Sequence, residues 1–218
     1  QSVQIVNTTN DAPTLTATAT DPTFTENGAA VDLFNGVTIN TVESGQTIEQ
    51  LSLTVTNIND GTDELLHLDG GFITLTNGTG TTTTKGYGYS VSLSGTTATV
   101  ILTTTGTSVA DAQTLVDDLA YENSSDNPTT TDDRVVTLKS IKDNGGTING
   151  GVDTTTVAIA STVSITAIND APVIDLDSGS AGINYQTIFI EQATPVPVNI
   201  VDSDDASLID AEGNLTSI

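Results

Sequence analysis

The chain of 218 residues carries 28 Asp and Glu against four Lys and Arg, a formal net charge of −24 at pH 7. This charge excludes nucleic acid and anionic membrane surfaces as electrostatic partners and makes divalent cations the natural ones, although a halophilic origin would also explain the composition. The absence of Cys excludes disulfide bonds and thiol catalysis and suits a large exported bacterial protein.

Most of the chain is predicted to form β-strands. Thr, Val and Ile favour strands, and clusters of Asn, Asp and Gly between them supply turns. Apolar and polar side chains alternate, as expected for strands with one buried face, in segments 51–56, 89–93, 98–102, 134–141 and 154–159. The sequence therefore predicts an all-β protein built as an antiparallel β-sandwich. No apolar run approaches the roughly 18 residues that span a bilayer, so we expect no membrane insertion.

One segment, residues 108–119, departs from this alternation. Its apolar residues lie at positions 109, 112, 115, 116 and 119, which is the spacing of an amphipathic helix. Ser108 is a candidate N-cap, and Asp111 follows three residues later. We expect one short helix here, packed across an edge of the sandwich as a structural crossover.

A tetrapeptide occurs twice, as Asn10-Asp11-Ala12-Pro13 and again at residues 169–172. Each copy follows an alternating apolar run, and residues 38–45 align loosely with residues 199–206. Repetition at a fixed distance is the signature of a tandem array. The predicted parts are residues 1–11 as the terminal strand of a preceding repeat, residues 12–170 as a complete repeat, and residues 171–218 as the N-terminal part of the next.

The acidic residues at predicted strand ends suit calcium. Calcium takes six to eight oxygen ligands from carboxylates, amides and carbonyls. In extended backbone, residues i and i+2 point the same way, so Asp202-Ser203-Asp204 directs two carboxylates to one side, where a cation would remove their repulsion. For Asn169 and Asp170 the alternative is an Asx-turn that ends a strand before proline, and for Glu122 it is an ordinary solvated carboxylate.

Several motifs in order resemble those of cadherin domains: Glu26, Tyr121-Glu122-Asn123, the linker 168–172 and Asp202-Ser203-Asp204. The chain resembles more closely the cadherin-like tandem repeats of giant bacterial surface adhesins, the repeats-in-toxin adhesins, which look like residues 119–128 and 142–146 here. The resemblance implies a Greek-key, Ig-like sandwich whose junctions bind Ca²⁺. The ligand set that it implies is Glu26, Glu122, Asp143, Asn169, Asp170, Asp202 and Asp204.

This resemblance implies a non-catalytic extender module of a secreted adhesin, located extracellularly or at the cell surface. Its partners would be neighbouring repeats of the same chain and calcium. No enzyme is expected, because His67 is the only His and no Gly-x-Ser-x-Gly elbow is present.

Two other functions stay open. The chain could be a subunit of a filament or surface layer, in which residues 1–11 of an identical chain complete residues 171–218 by strand addition. It could also be a calcium-dependent glycan-binding domain.

Overall fold

A computed structural model describes residues 9–170, 173–175 and 199–201, and the chain divides into two compact units between Ala167 and Ile168. The described strands of the first unit are β1 (Thr14–Ala19), β2 (Thr23–Thr25), β3 (Val31–Asp32), β4 (Phe34–Asn40), β5 (Ile48–Thr56), β6 (Glu64–Leu68), β7 (Gly71–Thr74), β8 (Gly78–Thr81), β9 (Gly88–Ser94), β10 (Thr97–Thr107), β11 (Ala120–Asn123), β12 (Arg134–Asp143) and β13 (Thr154–Thr166). One helix, α1 (Val109–Asp117), and two short 3-10 turns (Gly61–Asp63 and Ile148–Gly150) complete its described elements.

The first unit is all-β, and its strands form two main sheets. The larger has the order β2-β13-β12-β5-β10-β9-β8, the smaller has the order β3-β11-β6-β7, and β1 pairs with β4 separately. The described pairings are antiparallel, as predicted, with the exception of β2, which runs parallel to residues 164–166 of β13.

A single hydrophobic cluster draws side chains from both main sheets, which is the arrangement expected of a β-sandwich. In β5 the buried residues are Ile48, Leu51, Leu53 and Val55, and those from Leu51 to Val55 alternate with half-buried residues. This alternation is the one predicted from the sequence, because the pleat directs successive side chains to opposite faces. Each of the five alternating segments lies within a strand: β5, β9, β10, β12 or β13.

The predicted helix is confirmed as α1. The Ser108 side chain accepts a hydrogen bond from the backbone N–H of Asp111 at 3.1 Å, so Ser108 is the N-cap. Ala112, Leu115 and Val116 are buried. The helix packs against β4, where Gln113 Oε1 accepts a hydrogen bond from the N–H of Ile39 at 3.3 Å. Among the described residues, no helix has the length and apolar character needed to cross a membrane.

In the second unit the described strands are β14 (Val173–Asp175) and β15 (Asn199–Val201), which pair antiparallel. Their register repeats that of the first unit. Leu15, two residues after Pro13, pairs with Ile39. Ile174, two residues after Pro172, pairs with Ile200, the residue that aligns with Ile39. The aligned segments of the two units therefore enter the same strand pairing.

We expect Ser108→Ala to lower the free energy of unfolding by about 1 kcal/mol, because it removes the acceptor for the Asp111 N–H at the start of α1. Ser108→Asp retains a capping oxygen and should stay within about 0.5 kcal/mol of the parent chain. Urea denaturation of the three proteins measures the difference. Equal losses in both variants would contradict the capping role.

Candidate metal centres

Asn10, in the first copy of the tetrapeptide, is buried at one end of the first unit. Its Nδ2 donates to Asp143 Oδ1 at 3.0 Å and to the Val152 carbonyl at 2.7 Å. Its Oδ1 accepts from Gln46 Nε2 at 2.5 Å. We call the residues 10–11, 43–47 and 143–145 the N-terminal end. One amide side chain therefore joins three segments that are far apart in sequence.

Asp143 ends β12 and is fully buried, with a relative exposure of 0%. Its Oδ1 accepts from Asn10 and from the Gly145 N–H, each at 3.0 Å, whereas its Oδ2 has no hydrogen-bond partner. Gly145 is required for this geometry, because a Cβ at that position would lie 1.9 Å from Asn10 Oδ1. The end of β12 thus presents a buried carboxylate with one oxygen unused by the protein.

Three further buried oxygens at the N-terminal end also lack a hydrogen-bond partner: Glu43 Oε2, Gln46 Oε1 and Thr47 Oγ1. Glu43 is tied to the tetrapeptide, since its Oε1 accepts from the Asp11 N–H at 3.1 Å. All of these atoms are hard oxygen donors of the kind that calcium prefers. Among the described residues, however, no three His, Cys, Asp or Glu side chains lie together in a group that could hold a metal ion.

The opposite end of the unit holds Glu26, which follows β2. Its backbone N–H donates to the Thr166 carbonyl at 2.9 Å, and its side chain is 1% exposed. Strand β13 runs from Thr154, paired with Lys142, to Thr166, paired with Thr25. Its thirteen residues span about 40 Å at the usual rise per residue. Glu26 and Asp143 therefore cannot ligate the same ion within this unit.

The other implied ligands lie in different surroundings. Glu122 projects from β11 toward His67, and its Oε2 lies 2.5 Å from His67 Nε2. Asn169 is exposed and donates to the Asp170 carbonyl at 2.8 Å. Asn169 and Asp170 belong to the second unit, because the chain divides after Ala167. Asp202 and Asp204 lie outside the described residues.

Arg134 forms a buried ionic network near the Glu26 end, which we call the Arg134 network. Its Nη2 lies 2.7 Å from Asp60 Oδ2 and 3.0 Å from Glu64 Oε1, and its Nη1 donates to the carbonyls of Thr129 and Asp132. Tyr121 donates its hydroxyl to Glu64 Oε2 at 2.8 Å. Arg134 and Glu64 are both 0% exposed, so these two charges are compensated within the protein and without contact with solvent.

Electrostatics in the network follow from burial and from the carboxylates. Burial, and then the charge of Glu64, raise the pKa of the Tyr121 hydroxyl, which stays protonated and acts as a donor. Burial alone would lower the pKa of the Arg134 guanidinium, but its hydrogen bonds to Glu64 and the Glu64 charge outweigh that and raise the pKa. The guanidinium is therefore a permanent cation.

The two ends differ in how their acidic groups are neutralised. The chain has only four Lys and Arg. Arg134 pairs with Asp60 and Glu64, Lys85 pairs with Asp111, and Lys142 lies 3.5 Å from Asp153. Lys139 is exposed, and in the described part of the chain no basic side chain forms an ion pair with Asp143 or Glu43.

Sequence reasoning named Asp143 but did not assign ligand roles to Asn10, Glu43 or Gln46. Two signals pointed to them: the tetrapeptide is duplicated, and Glu43 aligns with Asp204 of the following repeat. A scan against protein-family models and searches of curated proteins and of solved structures found no match to this chain.

We expect Arg134→Leu to lower the free energy of unfolding by about 3–5 kcal/mol, because Asp60 and Glu64 would be left buried without their cation. Lys85→Leu removes an exposed cation from an ion pair with Asp111 and should cost less than about 1 kcal/mol. Guanidinium denaturation compares the two. Similar losses would contradict a dominant role for the Arg134 network.

Proposed function

We propose that this chain is a non-catalytic extender module of a secreted bacterial cell-surface adhesin, stiffened by calcium. The single observation that carries the proposal is the buried carboxylate of Asp143, whose Oδ2 has no hydrogen-bond partner and whose charge has no basic partner in the described residues. A buried carboxylate without compensation is costly. A cation from solution would supply the positive charge that no Lys or Arg of the described residues provides at Asp143.

The oxygen atoms at the N-terminal end are of the type that calcium binds, and there are enough of them to form part of its coordination shell. Glu43 and Asp143 contribute two carboxylates, and Gln46 and Thr47 contribute neutral oxygens. These are four of the six to eight oxygens that calcium takes. Water or a neighbouring repeat would provide the remainder. Asn10 positions two of the four, because it hydrogen-bonds both Asp143 and Gln46.

Repetition supports the role as an extender. The second copy of the tetrapeptide leads into β14, and β14 and β15 pair in the register of β1 and β4. Each unit of such an array would present the same N-terminal donors to the unit before it. Extracellular calcium modules have dissociation constants of about 0.1–1 mM, so secretion to the cell surface would place the array where calcium is available. Neighbouring repeats would be its partners.

Calcium should raise the melting temperature of the chain, and a chelator should reverse the increase. At a calcium concentration about 100 times the dissociation constant, binding adds about 2.7 kcal/mol, or about 5–10 °C for a unit of this size. Asp143→Asn should abolish most of this increase. It should also stabilise the chelated protein, since it removes an unpaired buried charge.

Asp126→Asn is the matched control, because Asp126 is exposed in a turn. Differential scanning calorimetry of the three proteins, with calcium and with chelator, separates ion binding from a general charge effect. A calcium response of equal size in Asp143→Asn would rule out this residue as a ligand.

Removing calcium should also increase flexibility between the units. With calcium bound by ligands from both sides of the tetrapeptide, bending there would pull ligands away from the ion. Small-angle X-ray scattering in calcium and in chelator measures the change as a broader distribution of interatomic distances. Asp170→Asn should show the broader distribution in calcium as well. Identical profiles in all conditions would count against stiffening by calcium while leaving binding at Asp143 open.

A further inference from the structure

A long part of this acidic chain contains no acidic residue. Between Asp69 and Asp111 there is no Asp or Glu, and the only charged side chain is Lys85. This segment includes β7 and β8, each of which is one of the two edge strands of its sheet among the described residues. Strands β7, β8, β9 and β10 therefore carry no acidic residue, whereas the molecule as a whole carries −24.

Strand β8 has the sequence Gly-Thr-Gly-Thr, and all four of its residues are exposed. Natural proteins protect exposed strand edges with charged residues, proline, bulges or very short strands. Of these devices, β8 has only its short length. The edge of β7 differs, because loop residues Thr83 and Thr84 lie over its start: a Cβ at Gly71 would come 2.1 Å from Thr83 Oγ1.

The pattern of hydrogen bonds between β8 and β9 shows which backbone groups of β8 point away from β9. Thr82 donates its N–H to the Tyr87 carbonyl at 2.8 Å, on the side of β9. Bonded and non-bonded pairs alternate along an antiparallel ladder, so Gly80 and Tyr89 form a bonded pair and Thr79 and Ser90 do not. The N–H and C=O groups of Thr79 and Thr81 consequently point away from β9.

We propose that β8 is a self-association edge that pairs antiparallel with β8 of a second copy of this chain. The outward N–H and C=O groups of Thr79 and Thr81 match those of an identical strand across a two-fold axis. A second copy is the favoured occupant because β8 and the neighbouring strands β9 and β10 carry no carboxylate, so two chains of charge −24 can approach along this edge without opposing carboxylates from these strands.

A four-residue edge gives weak pairing for one unit, on the order of millimolar affinity. Repetition changes this, since many weak contacts between two aligned arrays add through effective concentration. Salt should strengthen the pairing, because it screens the remaining repulsion between acidic surfaces. This edge would therefore hold neighbouring chains side by side, independently of any calcium at the unit ends.

The test is sedimentation equilibrium of the full chain up to about 1 mM, in chelator, at low and at high salt. The parent chain should dimerise, more strongly in high salt. Thr79→Pro removes an outward N–H while leaving the bonded pair at Gly80 in place, and should weaken dimerisation at least about tenfold. Thr79→Val keeps the N–H and should stay within about twofold of the parent.

A second variant protects the test against misfolding of Thr79→Pro. Thr81→Glu keeps the whole backbone and, when Thr79 pairs with Thr81 of the second copy, brings the two introduced carboxylates to diagonal positions on one face, so it should weaken dimerisation at low salt and recover at high salt. Amide hydrogen exchange should slow at Thr79 and Thr81 as concentration rises, with no such change at Thr74. A parent chain that stays monomeric in high salt, or dimers unaffected by Thr81→Glu, would overturn the proposal. Because calcium is absent, neither result bears on binding at Asp143.

Discussion

Arg134 lies fully buried between Asp60 and Glu64, and its guanidinium donates to both carboxylates and to the carbonyls of Thr129 and Asp132. These contacts join the start of β12, the start of β6 and the loop before β12 around one permanent charge. Because the chain has four basic residues and 28 acidic ones, a basic side chain that is paired here cannot pair with acidic residues elsewhere. The distribution of cations therefore leaves Asp60 and Glu64 paired with a buried cation, whereas Asp143 has no ion pair among the described residues.

The same tetrapeptide does different work in its two copies. Asn10 is buried and connects Asp143, Gln46 and Val152. Asn169 is exposed and bonds only locally, to the Asp170 carbonyl, among the hydrogen bonds described for it. The amide of Asn10 is therefore tied to segments far from it in sequence, whereas the described hydrogen bond of Asn169 is local. The role of the tetrapeptide depends on the segments that pack around it more than on its own four residues.

Features governed by local pattern could be predicted from the sequence, and features governed by distant contacts could not. The alternation in β5 and the capped helix α1 follow from neighbouring residues, and both were predicted with nearly correct bounds. The parallel pairing of β2 with β13 joins residues about 140 positions apart, and three residues carry no signal for it.

The candidate site shows the same division. Asp143 was implied by resemblance, but its partner Asn10 lies 133 residues away, and no spacing rule links the two. The contact between Glu122 and His67 joins adjacent strands β11 and β6 across 55 residues. Charge and repetition indicated that oxygen ligands would gather at unit ends. Only the packing shows that two of the implied residues, Glu26 and Asp143, lie at opposite ends of β13, about 40 Å apart.

Strand β13 has a mechanical consequence. Pro13 lies beside the start of β13, where Thr155 donates its hydroxyl to the Pro13 carbonyl, and β13 ends at Thr166. A pulling force applied between Pro13 and Thr166 therefore acts along β13 and loads its ladders with β12 and β2 in shear. Bonds loaded in shear must break together, whereas bonds that unzip break one at a time. The long strand that separates the two ends is thus also the element that would bear tension along the chain.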